Sequence, residues 1–192
     1  LGGEISKSII EWFKNYNLLS GISHNEYDGF TKRMLHKNLD GCEKSLSFFQ
    51  TLKLGFKEII TSEKEFDPNE IPDSFSKNMK ARIIKELTGK KSVTLNTVHN
   101  KFDNKGNIID SVLFDKDENE SEGTSKIIDL SGPIFDTLNS GKLLIIDELD
   151  AKLHPLITIH IVNLFNDPSI NTNNAQLLFA THDTNLLSSD LF

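Results

Sequence analysis

The hydrophobic and polar positions along this chain alternate between helical and strand spacing. Ile5, Ile9, Trp12, Phe13 and Tyr16 recur at helical intervals and predict an amphipathic helix over Glu4–Leu19. Ser20–Gly21 is its expected stop, since glycine readily takes the left-handed conformation that ends helices. A short helix is expected over Asp28–Asn38 and another over Cys42–Lys53, with Leu46, Phe49 and Leu52 or Lys53 inward, separated by the turn residues Asn38–Leu39–Asp40–Gly41. Weak alternation over Glu58–Phe66 suggests a strand. Ile71, Phe75, Met79, Ile83 and Leu87 fall four apart and predict a helix ending near Gly89.

Ser92–Lys101 is rich in β-branched residues at a period near two. A glycine-containing turn, Asp103–Asn107, separates it from a second such run, Ile108–Phe114, and together they predict a β-hairpin. His99 reads as a half-exposed strand residue. Asp115–Glu122 carries five carboxylates in eight positions but lacks the glycine of a calcium loop, so it reads as a solvated connection.

Ser121–Glu122–Gly123–Thr124–Ser125 opens a predicted helix bearing Ile127, Ile128, Leu130, Ile134, Phe135 and Leu138, which Ser131–Gly132–Pro133 should kink or split. Small residues at a helix start serve as an N-cap or offer backbone amides to an anion. After Gly141, the run Leu143–Leu144–Ile145–Ile146 ends abruptly in Asp147–Glu148, as a parallel strand buried on both faces would. Leu149–Asp150–Ala151–Lys152–Leu153–His154–Pro155 leads into a helix with Ile157, Ile161, Leu164 and Phe165 inward, and His154 is expected to open it. A polar loop follows over Asn166–Asn174, then a second buried strand, Gln176–Thr181, ending in His182 and Asp183. Two strands joined by a helix make a right-handed βαβ unit. Neighbouring strands would gather Asp147, Glu148 and His182 at the carboxyl edge of the sheet, where ligands bind in open α/β folds.

Composition narrows the setting. The chain has 192 residues, enough for one good-sized core or two small ones. Thirteen Phe against two Tyr and one Trp make Phe the expected bulky core filler. A net charge of −7 argues against a broad nucleic-acid surface, although Lys77, Lys80, Arg82, Lys85, Lys90 and Lys91 form a local basic cluster. The single Cys42 fits a reducing cytoplasm, no apolar run is long enough for a membrane span, and no signal-peptide pattern opens the chain. A chain opening on Leu1 is expected to be a segment of a longer protein.

The order S-x-G-T, apolar strand ending Asp–Glu, Leu–Asp–x–x–Leu–His–Pro and apolar strand ending Thr–His–Asp resembles the C-terminal lobe of an ABC-type ATPase. It is most similar to the bacterial AAA family ATPases allied to the OLD, RecF and SMC proteins, several of them found in phage-defence loci. The resemblance is strongest from Ser121 to Phe192. It implies a P-loop NTPase-like α/β fold, with residues 1–90 as a mainly helical insertion and 91–192 as the ABC-type lobe. It also implies ATP and Mg²⁺ as cofactors and a head-to-tail homodimer coupled to an effector. By the resemblance, Ser121, Gly123 and Thr124 match the signature loop that meets the partner's γ-phosphate, and Asp147 the Walker-B Asp that supports Mg²⁺. Glu148 matches the base that polarises water, Asp150 the dimer-contacting D-loop, and His182 the switch histidine. The signature departs from Leu–Ser–Gly–Gly–Gln by Glu122 and Thr124, and Glu122 places a negative charge near phosphate.

The phosphate cradle G-x-x-x-x-G-K-[ST] is absent from the sequence. Its only Gly–Lys pairs, Gly89–Lys90 and Gly141–Lys142, lack both the preceding glycine and the following Ser or Thr. The expected Walker-A half therefore lies outside these residues, and the chain alone is expected to turn over little ATP. Two other readings remain open: a metal-dependent nuclease using Asp147, Glu148 and Asp150 with a further acidic ligand, and a non-catalytic interaction module.

Overall fold

The computed structural model describes residues 3–23 and 25–187, so residues 188–192 of the predicted lobe, and residues 1 and 2, lie outside the described region. The chain runs α1 (Glu4–Phe13), β1 (Tyr16–Ser20), α2 (Asn25–His36), α3 (Cys42–Leu52), β2 (Glu58–Glu65), α4 (Lys77–Leu87), β3 (Lys91–Phe102), β4 (Ile108–Asp115), α5 (Lys116–Asn119), α6 (Glu122–Ser140), β5 (Leu143–Asp147), α7 (Pro155–Asn166) and β6 (Gln176–Phe179). A parallel sheet has the order β1-β5-β6, and an antiparallel sheet the order β2-β3-β4. Both sheets draw strands from either side of residue 90, through β1 with β5 and β2 with β3.

The expected long first helix stops at Phe13. Tyr16–Ser20 instead pairs in parallel with β5, placing Leu19 opposite Ile146 and Ser20 opposite Asp147. Helical spacing continues into the strand by coincidence, and the exposed edge of β5 decides the outcome, since backbone pairing there overrides local propensity. Gly21 is no helix stop: its amide donates to the Asp147 carbonyl at 2.6 Å.

Helix α6 is the centre of the core. Ile127, Ile128, Leu130, Ile134, Phe135 and Leu138 are buried with Leu144 and Ile146 of β5, with Ile161 and Val162 of α7, and with Met34, Phe48 and Phe49 of α2 and α3. In α3 the inward face is Cys42, Ser45, Phe48 and Phe49, whereas the expected Leu46 is exposed. The parallel sheet is covered on one face only among the described residues. Leu144 and Ile146 are sealed, but Leu18 and Leu178 are exposed and Leu143 and Ile145 half-buried, so β5 and β6 are not buried on both faces as the sequence suggested. Helix α4 begins at Lys77, capped by Ser76, later than its apolar stripe implied, and Met79 and Phe75 of that stripe are exposed.

Pro133 neither splits nor ends α6, which runs unbroken over 19 residues. A proline leaves the carbonyl four residues earlier without its amide donor. That carbonyl, Asp129 O, accepts instead from the Thr31 hydroxyl at 2.5 Å in the buried α2–α6 contact. Gly132 makes room for it, because a Cβ there would overlap Thr31 Oγ1. Thr31→Val keeps the shape but removes the donor, and is expected to cost about 1–3 kcal/mol in a urea unfolding titration. An unchanged midpoint would show that the carbonyl needs no partner.

The acidic connection is structured rather than merely solvated. Asp115 caps α5 by accepting from the amides of Asp117 and Glu118, at 2.8 and 3.2 Å. Glu120 accepts from Thr97 and lies 2.7 Å from His99 Nε2, while the His99 ring packs between Phe56 and Phe114. The cluster on α4 and at its end is paired in part, Lys80 with Asp73, Arg82 with Glu86 and Lys91 with Glu63.

Candidate functional site at the carboxyl edge of the parallel sheet

The first five residues after the apolar core of β5 make the site. β5 ends at Asp147 with its side chain exposed, and the next residue, Glu148, is left-handed at φ 55°. A non-glycine residue in that region carries roughly 1 kcal/mol of strain or more. Two contacts hold it there. Gly21 packs so closely beneath Glu148 that a Cβ would overlap the Glu148 carbonyl oxygen. Leu149, fully buried, donates its amide to the Ala180 carbonyl at 3.0 Å.

β6 is parallel to β5, with Ile146 opposite Phe179, and so His182 leaves the sheet at the same edge. Its Nε2 lies 4.0 Å from Glu148 Oε1, and its ring is largely exposed. Asp150 is turned toward this strand end, where Oδ1 accepts from the His182 amide at 3.1 Å. Burial alone would raise the Asp150 carboxyl, but hydrogen bonds from the Thr181 side chain and the His182 amide outweigh it and hold the group below the usual carboxylate range.

The Ser121–Thr124 turn reaches the same loop from the other side. Ser121 Oγ accepts from the Thr124 amide at 3.1 Å and lies 2.8 Å from Thr124 Oγ1, which caps α6. Gly123 abuts the Lys152 carbonyl, 2.8 Å from where its Cβ would stand, and Lys152 pairs with Glu122 at 3.3 Å. Glu122 therefore already has a cation beside it. His154 Nδ1 accepts from the Leu156 amide at 3.2 Å and caps α7, the structural role expected of it.

The structure thus brings Asp147, Glu148, Asp150 and His182 to one edge, with Ser121, Gly123 and Thr124 beside their loop. Sequence reasoning missed Gly21, because its role is close approach rather than turning, and Lys126, a lysine wholly buried on the apolar face of α6. Nothing in a single sequence marks such a lysine apart from a solvated one.

Residues 34–188 match the family described as "AAA domain, putative AbiEii toxin, Type IV TA system". The chain belongs to this AAA-domain family. The match covers most of the chain and includes α3 to β6 whole, so β5, β6 and the residues that follow them up to residue 188 are part of an AAA, nucleotide-binding ATPase-type domain. No curated protein and no solved structure matches the chain. Among the described residues of the AAA domain, no helix is long and apolar enough to cross a membrane, and no group of three or more His, Cys, Asp or Glu could hold a metal unaided. One exposed carboxylate at a strand end fits Mg²⁺, which keeps several waters and is held by one or two carboxylates together with substrate phosphates.

Proposed function

We propose that this AAA domain is the ABC-type lobe of a Mg²⁺-dependent ATPase, working as a head-to-tail dimer around two ATP molecules and driving an effector in bacterial defence. The observation that carries the reading is the edge itself, with Asp147 exposed at the end of β5, Glu148 fixed in a left-handed turn, and the His182 ring 4.0 Å from its carboxylate on the neighbouring parallel strand. Asp147 would hold Mg²⁺, which when bound supplies charge neutralisation on the phosphates. Glu148 accepts a proton from the attacking water, and His182 contacts the terminal phosphate. Ser121, Gly123 and Thr124 present the amino end of α6, the positive end of its dipole, toward the partner's nucleotide, and Asp150 shapes the loop at the dimer seam. The phosphate-cradling loop comes from outside these residues, and the working site is cytoplasmic. The nuclease reading lacks support, since no further acidic ligand joins Asp147 and Glu148 among the described residues.

The test joins the chain to a segment bearing G-x-x-x-x-G-K-[ST] and measures Mg²⁺-dependent ATP hydrolysis. Glu148→Gln is expected to lower turnover by about 10²-fold or more while ATP binding persists, the usual contribution of a positioned base. Equal turnover in the two proteins would remove Glu148 from the reaction.

A further inference from the structure

Besides the exposed Lys152–Glu122 pair, one buried side chain joins the two halves of the site. Lys126 lies in the second turn of α6, whose first turn is the Ser121–Thr124 cap. Its side chain is fully buried, and its ammonium donates to the Leu149 carbonyl at 3.1 Å and the Ala151 carbonyl at 2.5 Å. Those two carbonyls flank Asp150. Among the described residues no carboxylate lies within ion-pairing distance, so the cation is spent on backbone carbonyls. A buried charge is costly to keep, and a helix face of this kind would be filled more cheaply by Met or Leu. What the lysine adds is a connection across 23 and 25 residues of sequence that an apolar side chain cannot make.

We propose that Lys126 is a positioning residue that makes the Ser121–Thr124 turn and the Glu148–Leu153 loop move as one unit, so that a contact at the signature turn is felt at Glu148 and Asp150. The catalytic part of this inference rests on the ATPase reading; the tether itself does not. Burial pushes the ammonium down to about 8. Asp150 and Glu148 favour the cation, and Lys152 opposes it.

Amide hydrogen exchange on the 192-residue chain tests the tether directly. In Lys126→Met, the amides of Leu149, Ala151 and Leu153, which bond to Ala180, Glu148 and Asp150 carbonyls, should exchange at least about tenfold faster, because loop opening no longer breaks two charge-assisted bonds. Amides within α7 should be unchanged. Lys126→Arg, which retains donors and charge, should keep part of the protection. Wild-type protection in a folded Lys126→Met protein overturns the proposal. A measurement on the unaltered chain covers the case of a variant that does not fold. The carbonyl carbon shifts of Leu149 and Ala151 should titrate together with the Lys126 side chain near pH 8, and shifts that ignore that titration overturn the tether equally.

In the protein carrying the phosphate-binding loop, Lys126→Met should lower kcat at least about tenfold with KM within about twofold, and Lys126→Arg should restore part of it. Unchanged kcat overturns the coupling. A wild-type protein that hydrolyses no ATP instead sinks the ATPase reading, and the exchange and titration results still decide the tether.

Discussion

Gly21→Ala is expected to destabilise the fold by about 3 kcal/mol, the upper end of ordinary overpacking. In the ATPase assay it should lower turnover by about 10²-fold, the usual cost of displacing a reacting group by about 1 Å. The reason is what stands in the way. A Cβ on Gly21 would overlap the Glu148 carbonyl oxygen, and lie 2.6 Å from its carbon and 2.7 Å from the Asp147 oxygen. All three are backbone atoms, so no rotamer change can relieve the clash, and the backbone from Asp147 to Leu149 itself must shift. That shift also strains the 2.6 Å bond from the Gly21 amide to Asp147. Gly29 provides the control. It lies in α2, and a methyl group added there would meet nothing within 4 Å. Gly29→Ala should therefore stabilise by about 0.5–1 kcal/mol, as replacing a helix glycine usually does. Thermal and urea unfolding of the two variants, run beside the turnover assay, check the pair. A Gly21→Ala protein as stable as the wild type would show that the strand-end loop has slack.

The gathering of the candidate site residues at one sheet edge was more legible in the sequence than the fold around it, and the difference is physical. A four-residue apolar run that ends in Asp147–Glu148 can hardly be anything but a strand entering solvent, and the β-branched residues of β3 with a glycine turn leave little choice for the hairpin. Tyr16–Ser20 gave no such signal. Asn and Ser are poor strand formers, Tyr16 and Leu19 continue the helical phase of Ile5 and Ile9, and only pairing with the distant residues Leu143–Asp147 makes it β1. The same holds for Pro133, where local rules predict a kinked or split helix; it is not split, and Thr31, on a different helix, supplies the missing bond. Polar residues that serve distant backbone, such as Lys126 and Thr31, look like surface residues in a single sequence. Asp150 was legible as a position but not as a set of bonds, since its carboxylate turns inward to the Thr181–His182 strand end.

The largest stability effect is expected at Lys116. The sequence placed this residue in a solvated acidic connection, yet it is 1% exposed and its ammonium meets Asp28 and Asp129 at 2.7 Å and Asp117 at 2.8 Å. Lys32 completes the cluster, at 2.9 Å from Asp28 and 2.8 Å from Asp117. Asp129 is wholly buried, so Lys116→Met would take a cation away from a buried carboxylate, and breaking a buried pair on one side costs about 3–5 kcal/mol. Removing both charges, in Lys116→Met with Asp129→Asn, should cost less than the two single losses added together; strict additivity would mean that the pair is not coupled. The pH dependence has a definite sign. Burial alone would raise Asp28 and Asp117, but hydrogen bonds and attraction from Lys116 and Lys32 hold both below the usual value of 3.8. Their stabilisation is therefore complete above about pH 4 and is lost as the pH falls through their lowered values. Burial would lower the two lysines, but their carboxylate partners raise both above 10.5, so their contribution is complete below that pH and is lost only as the pH rises beyond it. Wild-type stability should thus fall between about pH 4 and 2 by more than that of Lys116→Met, in which one of the two cations that depress these carboxyls is gone. Urea midpoints at about pH 7, 4 and 2.5 distinguish the outcomes, and parallel acid losses in the two proteins would show that Lys116 does not set the protonation of this cluster.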